Sequence, residues 1–496
     1  MNFNSWQFLV FLPVVVALFW ILPHRVRWAM LLVASYIFYM SWNVWLIVLI
    51  MITTLTAYVA AISIEVTENT RLKKLWLAVA LIICLGLLVF FKYINFILES
   101  TIGVIRLFGG QVDDIVLNII LPVGISFYTF QTLSYVIDVY RGDFKAERHF
   151  GYFALYVVYF PQLVAGPIEK PATLLPQLKS EQKLNEEDMF AGAKLLLSGF
   201  FRKCVVADFC GVFVDKVYAD LSNANALAVF VASAMFLIQI YNDFAGYSEI
   251  AMGSARLMGV KLSKNFDKPL TSTSYTEFFR RWHITLNQWF THYLYIPLGG
   301  NRKGKARKII NTLIVFALCG LWHGANWTFV LWGLAAGVAI SIETLLKKPV
   351  NNLCRKIKLD VESPTVRLVR QGIMLILFTL SSVLFRAQSL TDVAIALRQI
   401  FTAWGVGENY MQTALNALGM NVLQIIQLIV IITAMALIYY LPKEQQGDKP
   451  TLCDVGTKDR QISYIPLFVY GGIAILLFWF ALFANSDTSG FLYFQF

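Results

Sequence analysis

Long apolar runs recur along the whole chain, and short polar segments rich in Lys and Arg separate them. A helix needs roughly 20 consecutive apolar residues to cross a hydrocarbon core about 30 Å thick. The pattern therefore predicts an all-α polytopic membrane protein with about ten to twelve transmembrane helices. The runs lie at 7–22, 28–41, 44–64, 75–97, 115–138, 190–219, 224–246, 309–346, 367–386, 421–441 and 465–484.

Two regions interrupt this pattern. Residues 151–168 are apolar but contain the helix-breaking Pro161 and Pro167. Irregular backbone at membrane depth survives only inside protein or beside a water-filled cavity, so we expect a re-entrant segment here, at a central cavity. Residues 247–308 form the most polar long stretch, and their mixture of Arg and Trp predicts a helix at the membrane interface.

One helix within the polar stretch can be placed closely. Ser274 and Glu277 have the spacing of a capping box, with Ser274 as the N-cap. The helix should run over 275–293 with an apolar stripe at helical spacing. His283 falls on the flank of that stripe, on the same side as two polar residues. The stripe consists of Phe278, Trp282, Leu286, Trp289 and Tyr293, and the polar residues are Arg280 and Asn287.

The basic residues between the apolar runs predict the orientation of the chain. Clusters after the first, third and fifth runs place those loops in the cytoplasm and the N-terminus outside. Clusters also flank both ends of 309–346, so this run is predicted to be a hairpin with its turn inside the membrane. The stretch from Ile309 to Trp322 makes about 21 Å of helix, which places His323 at depth.

The composition agrees with a membrane protein. Of the 496 residues, 58% are hydrophobic and 14% are charged, whereas a soluble domain has about a quarter charged residues. The formal net charge of +11 arises from loop residues that orient the protein, so we expect no nucleic-acid partner. The six cysteines have no metal-binding spacing, and no metal site is predicted.

An ionisable residue at membrane depth is costly and is by default a functional hypothesis. For His323, the alternative is a neutral ring satisfied by a backbone carbonyl or by Asn326. Neutral imidazole is a good base near pH 7 and can take a proton from a hydroxyl. Two acids in an apolar, aromatic run either orient a histidine or pair with arginines. The acids are Asp243 and Glu249, and the arginines are Arg280 and Arg281.

Five sequence blocks between residues 159 and 392 resemble the membrane-bound O-acyltransferase family. They are YFPQLVAGPI at 159–168, YNDFAGYSEIAMG at 241–253, FFRRWHITLNQWFTHYLYIPLGGNR at 278–302, LWHGANWTFVLWG at 321–333 and LFRAQSLTD at 384–392. The YIPLGGNR ending is similar to a bacterial branch that includes alginate O-acetylases and peptidoglycan O-acetyltransferases, and the related D-alanyl transferases lack it. Thr291 and His292 stand where this branch usually has an Arg-Asp pair.

The resemblance implies an O-acetyltransferase with His323 as the catalytic histidine and His283 as the second histidine of the site. The donor would be acetyl-CoA or an acylated carrier protein, and the acceptor an extracytoplasmic polysaccharide such as alginate or cell-wall glycan. His323 would take the hydroxyl proton, and His283 is the candidate for stabilising the oxyanion. Further residues expected to line the site are Asp243, Arg280, Asn287, Asn326 and Trp322.

The same resemblance implies a place in the cell and a domain organisation. We expect a multi-pass protein of the bacterial cytoplasmic (inner) membrane, in contact with lipids, with both termini outside. A single domain over 1–496 would comprise N-terminal spans (1–150), a catalytic core with re-entrant segments (151–346), and C-terminal spans with an extracytoplasmic tail (347–496). Extracytoplasmic O-acetyltransferase proteins are the expected partners.

The C-terminal sequence SGFLYFQF, at 489–496, has two interpretations. It is an aromatic anchor at the membrane interface, or it resembles a C-terminal tyrosine motif of small partners of the D-alanyl transferases. In the second case Tyr493 would relay the acyl group to a separate transferase. The competing functions for the whole chain are D-alanyl transfer to teichoic acid, and transport or flipping of acyl or glycan intermediates.

Overall fold

The computed structural model describes residues 1–440 together with residues 472 and 492. Within these residues the chain is helical, and no β-strand is present. The N-terminal helices are α1 (Trp6–Ile21), α2 (His24–Met40), α3 (Ile47–Val66), α4 (Thr70–Leu88), α5 (Ile94–Leu107) and α6 (Ile125–Arg141). A π-helical turn, Val89–Tyr93, joins α4 to α5.

The middle of the chain alternates long helices with short ones. The helices are α7 (Phe150–Val158), α8 (Pro171–Lys179), α9 (Glu186–Phe200), α10 (Asp208–Ala219), α11 (Ala226–Arg256), α12 (Tyr275–Arg281), α13 (Ile284–Phe290), α14 (Gly304–His323) and α15 (Trp327–Lys356). The last described helices are α16 (Pro364–Arg386), α17 (Leu390–Thr402), α18 (Glu408–Leu418) and α19 (Val422–Tyr440). Helix α11 is buried along most of its length, because α9, α10, α16, α17 and α18 pack against it.

Five helical segments of the described residues are long and apolar enough to cross a membrane. A sixth results if α18 and α19, which are bent by 71° at their junction, count as one broken span. The prediction of an all-helical membrane protein is confirmed, whereas the number of ten to twelve spans stays a prediction. The apolar run 465–484 lies outside the described residues. The five segments are Val44–Val66, Thr70–Leu107, Ala226–Arg256, Trp327–Lys356 and Pro364–Arg386.

The predicted run 115–138 starts too early. Residues 115–122 are irregular, and α6 begins at Ile125. Gly124 precedes it with a φ of 78°, a left-handed conformation that glycine adopts without steric cost. The preceding run, predicted at 75–97, is in contrast longer than expected, because α4 and α5 form a helical segment of 38 residues, Thr70–Leu107.

The break predicted in 151–168 is present. Helix α7 ends at Val158, the backbone is irregular up to Lys170, and α8 begins at Pro171. Residues 153–169 are buried without exception. Irregular backbone is therefore enclosed by protein here, as expected for this composition, and its re-entry into the membrane stays a prediction.

Helices α14 and α15 form a tight antiparallel hairpin, as predicted for 309–346. The two backbones touch: a Cβ at Gly320 would overlap the Phe329 carbonyl oxygen, and a Cβ at Gly333 would overlap that of Phe316. Only glycine allows this approach. Helix α14 starts earlier than predicted and is about 30 Å long over its 20 residues. The depth of its end in the membrane stays a prediction.

The single helix predicted over 275–293 is wrong. Ser274 caps α12 as predicted, because its Oγ accepts a hydrogen bond from the Glu277 N–H at 3.1 Å. The Glu277 carboxylate, however, accepts from the Thr273 N–H at 2.8 Å instead of closing the capping box. The helix then ends, and α13 starts in a new direction after His283, whose φ of 43° is left-handed.

Candidate functional site

His323 is the last residue of α14, at the turn of the hairpin. Asn326 begins α15 by accepting a hydrogen bond from the Thr328 N–H at 3.0 Å. Its Nδ2 also donates to the Gln388 carbonyl at 2.8 Å, which ties the turn to the segment after α16. Asn326 is therefore the N-cap of α15, and it fixes the turn of the hairpin.

Aromatic rings surround the His323 imidazole. The side chain is 5% exposed, and its ring centroid lies 5.1 Å from Trp322, 5.4 Å from Trp332 and 5.3 Å from Phe385. All three contacts are edge-on. This packing excludes water and favours the neutral ring, because an unpaired charge is costly in apolar surroundings.

Lys92, which was not among the predicted site residues, contacts the same turn. Its Nζ donates to the carbonyls of Trp322 at 2.7 Å and His323 at 3.3 Å, and to Ser126 Oγ at 3.5 Å. The ammonium group also acts electrostatically on the His323 ring. A lone lysine inside the apolar run 75–97 was the available signal, since intramembrane charges mark functional positions.

Two cavities adjoin the turn. One, of about 40 Å³, borders His323 and is walled by apolar side chains of α11, α12, α15 and α16, including Phe236 and Phe378. The other, of about 90 Å³, borders Trp322 and Lys92 and is lined by residues 121–127 at the start of α6. The turn therefore separates an apolar compartment from one that contains a cation.

His283 occupies the break between α12 and α13 and is 1% exposed. Its ring lies edge-on to Phe244 at 4.7 Å and to Trp322 at 5.8 Å between centroids. Trp322 thus contacts both histidines, and His323 acts electrostatically on His283. His283 also has a positive φ of 43°. Such a backbone conformation costs of order 1–3 kcal/mol for a non-glycine residue and persists where the surrounding structure imposes it, often at functional sites.

Asn265 supports the break from a neighbouring loop. Its backbone carbonyl accepts from the Ile284 N–H at 2.8 Å, and its side-chain Oδ1 lies 3.2 Å from His283 Nδ1. The same Oδ1 accepts from the Thr285 hydroxyl at 2.7 Å, and Nδ2 donates to Ser248 Oγ at 3.3 Å. Asn265 was not among the predicted site residues, because no local motif marks it.

The other residues expected to line the site divide into two groups. Trp322 is central to it, and Asn287 stabilises the break, because its Nδ2 donates to the carbonyls of Phe279, Trp282 and His283 at 2.8, 2.6 and 3.2 Å. Arg280 is exposed and lines neither of the two cavities, so its place in the wall stays a prediction. The helix turns at His283, and positions that share a face on a continuous helix no longer do so.

Asp243 belongs to a buried ionic cluster. Lys203 Nζ donates to Asp243 Oδ1 at 2.8 Å and to Asp208 at 2.7 Å, and Arg202 pairs with Glu249 at 3.0 Å. The predicted alternatives of Arg280 and Arg281 as partners of the two acids are therefore wrong. Lys203 and Arg202 lie in a π-helical segment between α9 and α10, Phe201–Ala207, which directs both cations toward α11.

Leu492, four residues before Phe496, contacts this cluster. The Leu492 N–H donates to Asp243 Oδ2 at 3.0 Å, and Leu492 is 8% exposed. Tyr493, the predicted acyl relay, lies outside the described residues. Within the part of the chain that the structure describes, no group of three or more His, Cys, Asp or Glu side chains could hold a metal ion.

The fold and site together define an integral membrane protein in which two buried histidines at helix breaks both contact Trp322, and one of them, His323, borders an apolar cavity. The chain belongs to the MBOAT, or membrane-bound O-acyltransferase, family, whose model matches residues 148–385. The protein is thus a membrane acyltransferase, as the five sequence blocks implied. Four of those blocks lie inside the matched region.

Individual relatives agree with this assignment. A probable alginate O-acetylase of Azotobacter vinelandii is 37% identical over 79% of this chain and 76% of its own length. A peptidoglycan O-acetyltransferase of Helicobacter pylori is 35% identical over 63% of each chain. A teichoic acid D-alanyltransferase of Streptococcus thermophilus is 29% identical over 47% of this chain and 60% of its own.

Proposed function

We propose that this protein moves acetyl groups from a cytoplasmic thioester donor across the membrane for the O-acetylation of an extracytoplasmic polysaccharide, alginate or a cell-wall glycan. The observation that supports this most directly is the meeting of His323 and His283 at Trp322, beside an apolar cavity. The names of the O-acetylating relatives support the acetyl group and the polysaccharide.

The reaction requires one proton to move. His323 takes the proton of the acceptor hydroxyl while that oxygen attacks the thioester carbonyl. A C–O bond forms, the C–S bond breaks, and the proton passes to the departing thiolate, so the products are an ester and a free thiol. The neutral, enclosed ring of His323 suits the accepting step, and the apolar cavity beside it offers room for the acyl group.

The donor, acetyl-CoA or an acylated carrier protein, is made in the cytoplasm, whereas the polysaccharide lies outside. A path must therefore connect the two sides. The irregular backbone of 159–170 and the turn after His323 are suitable walls, because broken helices inside protein commonly line such paths. We place the protein in the cytoplasmic (inner) membrane of bacteria, with both termini outside.

For the outward step we propose that the acyl group passes to the Tyr493 hydroxyl and that an extracytoplasmic O-acetyltransferase partner then moves it to the polymer. The hydrogen bond from Leu492 to Asp243 supports this, since it places the preceding residue in the protein interior. A phenol of pKa about 10 leaves an ester more readily than a sugar hydroxyl does. The alternative is an aromatic anchor.

Tyr493→Phe separates relay from anchor, because it removes only the hydroxyl. We expect polymer O-acetylation to disappear in cells with this variant, while thioester consumption by the purified protein continues through hydrolysis. Trp404→Phe, a change at an exposed aromatic residue elsewhere, is the control. Normal polymer acetylation in the Tyr493→Phe cells would leave the tail as an anchor only.

D-alanyl transfer to teichoic acid is the second candidate, favoured by the relative from Streptococcus thermophilus. A transporter or flippase would also have broken helices at its centre, but it has no need of a histidine pair. An assay on the purified protein distinguishes acetyl transfer, D-alanyl transfer and transport. Acetyl and D-alanyl thioesters are offered in turn, and release of thiol is measured; a transporter releases none.

The decisive comparison is wild type against His323→Ala in the same assay. We expect thiol release to fall by about 10²–10⁴, while His292→Ala, a change at an exposed histidine, keeps wild-type rates. Two outcomes would overturn the proposal: full activity of a well-folded His323→Ala protein, or a wild-type protein that cleaves none of the thioesters.

A further inference from the structure

His283 has one engaged ring nitrogen and one that is not. Nδ1 lies 3.2 Å from Asn265 Oδ1, whereas Nε2 is buried and makes no hydrogen bond to any described part of the chain. A buried polar atom without a partner costs roughly 1–3 kcal/mol, so it needs an explanation such as a bound substrate.

The orientation of the Asn265 amide decides which nitrogen of His283 has the proton. Its oxygen faces the Thr285 hydroxyl at 2.7 Å and the Thr285 backbone N–H at 3.4 Å. The backbone N–H can only donate, so a flipped amide would set two donors against each other. Thr285 Oγ1 itself accepts from the Ile168 N–H at 3.1 Å, which leaves its own hydrogen for Asn265.

Because the oxygen of Asn265 faces His283, Nδ1 must have the hydrogen of the neutral ring. We infer that Asn265 is a positioning residue that holds His283 in this tautomer, so that Nε2 accepts a hydrogen bond from a neutral N–H or O–H group of a bound substrate. This rests on the proposed function and reverses the polarity expected from the sequence, in which His283 donated to an oxyanion.

Two substrate groups have the required chemistry. An acceptor hydroxyl other than the one whose proton His323 takes has an O–H, and a donor on a pantetheine arm, whether acetyl-CoA or a carrier protein, has an amide N–H near its sulfur. The surroundings of the ring favour a neutral partner. The aromatic rings around His283 are uncharged; they are Phe127 of α6, Phe244 of α11, Phe266 of the loop before α12, and Trp322 of α14. Among the described residues, the titratable group that acts on the His283 ring is His323.

Two substitutions of Asn265 test the inference in the purified, full-length protein. Asn265→Leu removes the acceptor, and we expect kcat/KM to fall by about 10²-fold or more. Asn265→Asp keeps an acceptor oxygen and should retain more activity. Its carboxylate also favours the doubly protonated ring, which has no acceptor at Nε2, so the acid limb of the pH–activity profile should move upward by about one unit or more. A role confined to folding would not move this limb.

The matched control is Asn311→Leu. Asn311 is equally buried, and its Nδ2 donates to backbone carbonyls before α14. It should lower the yield of folded protein and leave the pH profile unchanged. If Asn265→Leu does not fold, Asn265→Asp alone decides the matter, because an unshifted acid limb overturns the inference.

Two thioesters distinguish the possible partners of Nε2: N,S-diacetylcysteamine, which has the amide N–H, and O,S-diacetylmercaptoethanol, in which an ester oxygen replaces that N–H and no other donor is present. If the amide is the partner, Asn265→Leu lowers activity only with the first; if the hydroxyl is, both fall equally. Equal activity of wild type and Asn265→Leu with both overturns the inference. A wild type inactive with thioesters of every kind overturns the proposed function instead.

Discussion

The two histidines occupy two helix breaks that are constructed differently. The break after His323 is made by local residues, since Gly324 ends α14 and Asn326 caps α15. The break at His283 contains neither glycine nor proline and depends on side chains from elsewhere, because Asn265 and Asn287 hold its backbone groups. The first break is a property of the local sequence, and the second is a property of the packed fold.

The difference concerns how each imidazole is positioned. His323 is positioned by the hairpin, whose turn Gly324 and Asn326 define, and by aromatic packing around its ring. His283 is held by a network in which the same asparagine fixes both the backbone and the ring nitrogen. Substitutions should therefore affect activity and stability separately at the first break and together at the second.

The largest expected effect is on activity, and its relation to stability should differ between the two histidines. His323→Ala should lower acyl transfer by about 10²–10⁴ with little loss of protein from the membrane. His283→Ala should lower both activity and stability. His283→Asn should retain more of each, because Asn keeps polar groups and tolerates the left-handed backbone. The measurements are initial rates and thermal unfolding of purified variants, and equal wild-type activity of both His283 variants would make that ring a bystander.

A second comparison concerns the hairpin itself. Gly320→Ala should destabilise the protein, because its methyl group would overlap the Phe329 carbonyl and force α14 away from α15. Gly86→Ala is the control, since a Cβ at Gly86 has no neighbour within 4 Å, and alanine gains up to about 1 kcal/mol in a helix. The unfolding temperature should fall for Gly320→Ala and rise slightly for Gly86→Ala. Equal stability of both variants would mean that α14 and α15 can accommodate a methyl group at Gly320 without loss of packing.

These differences explain what the sequence could predict. The hairpin was predictable because charge at both ends and a Gly-Ala-Asn turn are local signals. The break at His283 was not, since its supports are a loop residue, Asn265, and hydrogen bonds that only the packed structure creates. The same limitation applies to Arg280, because its predicted position on the side of His283 assumed an unbroken helix.

Ion pairing was also beyond the reach of local patterns. The predicted partners of Asp243 and Glu249 were arginines of another sequence block, at positions 280 and 281. Their partners in the structure are instead Lys203 and Arg202. A π-helical segment turns these cations toward α11, and no periodicity argument anticipates a π-helical turn. Lys92 was different: an isolated lysine in an apolar run was visible, and intramembrane charge alone was sufficient reason to select it.

The smallest expected effect comes from matched hydroxyl deletions at the two breaks. Thr285→Val removes the hydroxyl that donates to Asn265 and accepts from Ile168, so a buried N–H loses its partner at a cost of roughly 1–3 kcal/mol. Thr328→Val removes a buried hydroxyl that has no hydrogen bond to the described residues.

We therefore expect Thr285→Val to lower the unfolding temperature and to reduce activity several-fold, because Asn265 loses one of the groups that orient it. Thr328→Val should leave both properties unchanged or raise the unfolding temperature slightly, since an unsatisfied polar group is replaced by a methyl of similar size. Thermal unfolding and initial rates, measured on both variants under the same conditions, provide the test. Equal effects at the two positions would contradict the distinction between a break made by local sequence and one made by the packed fold.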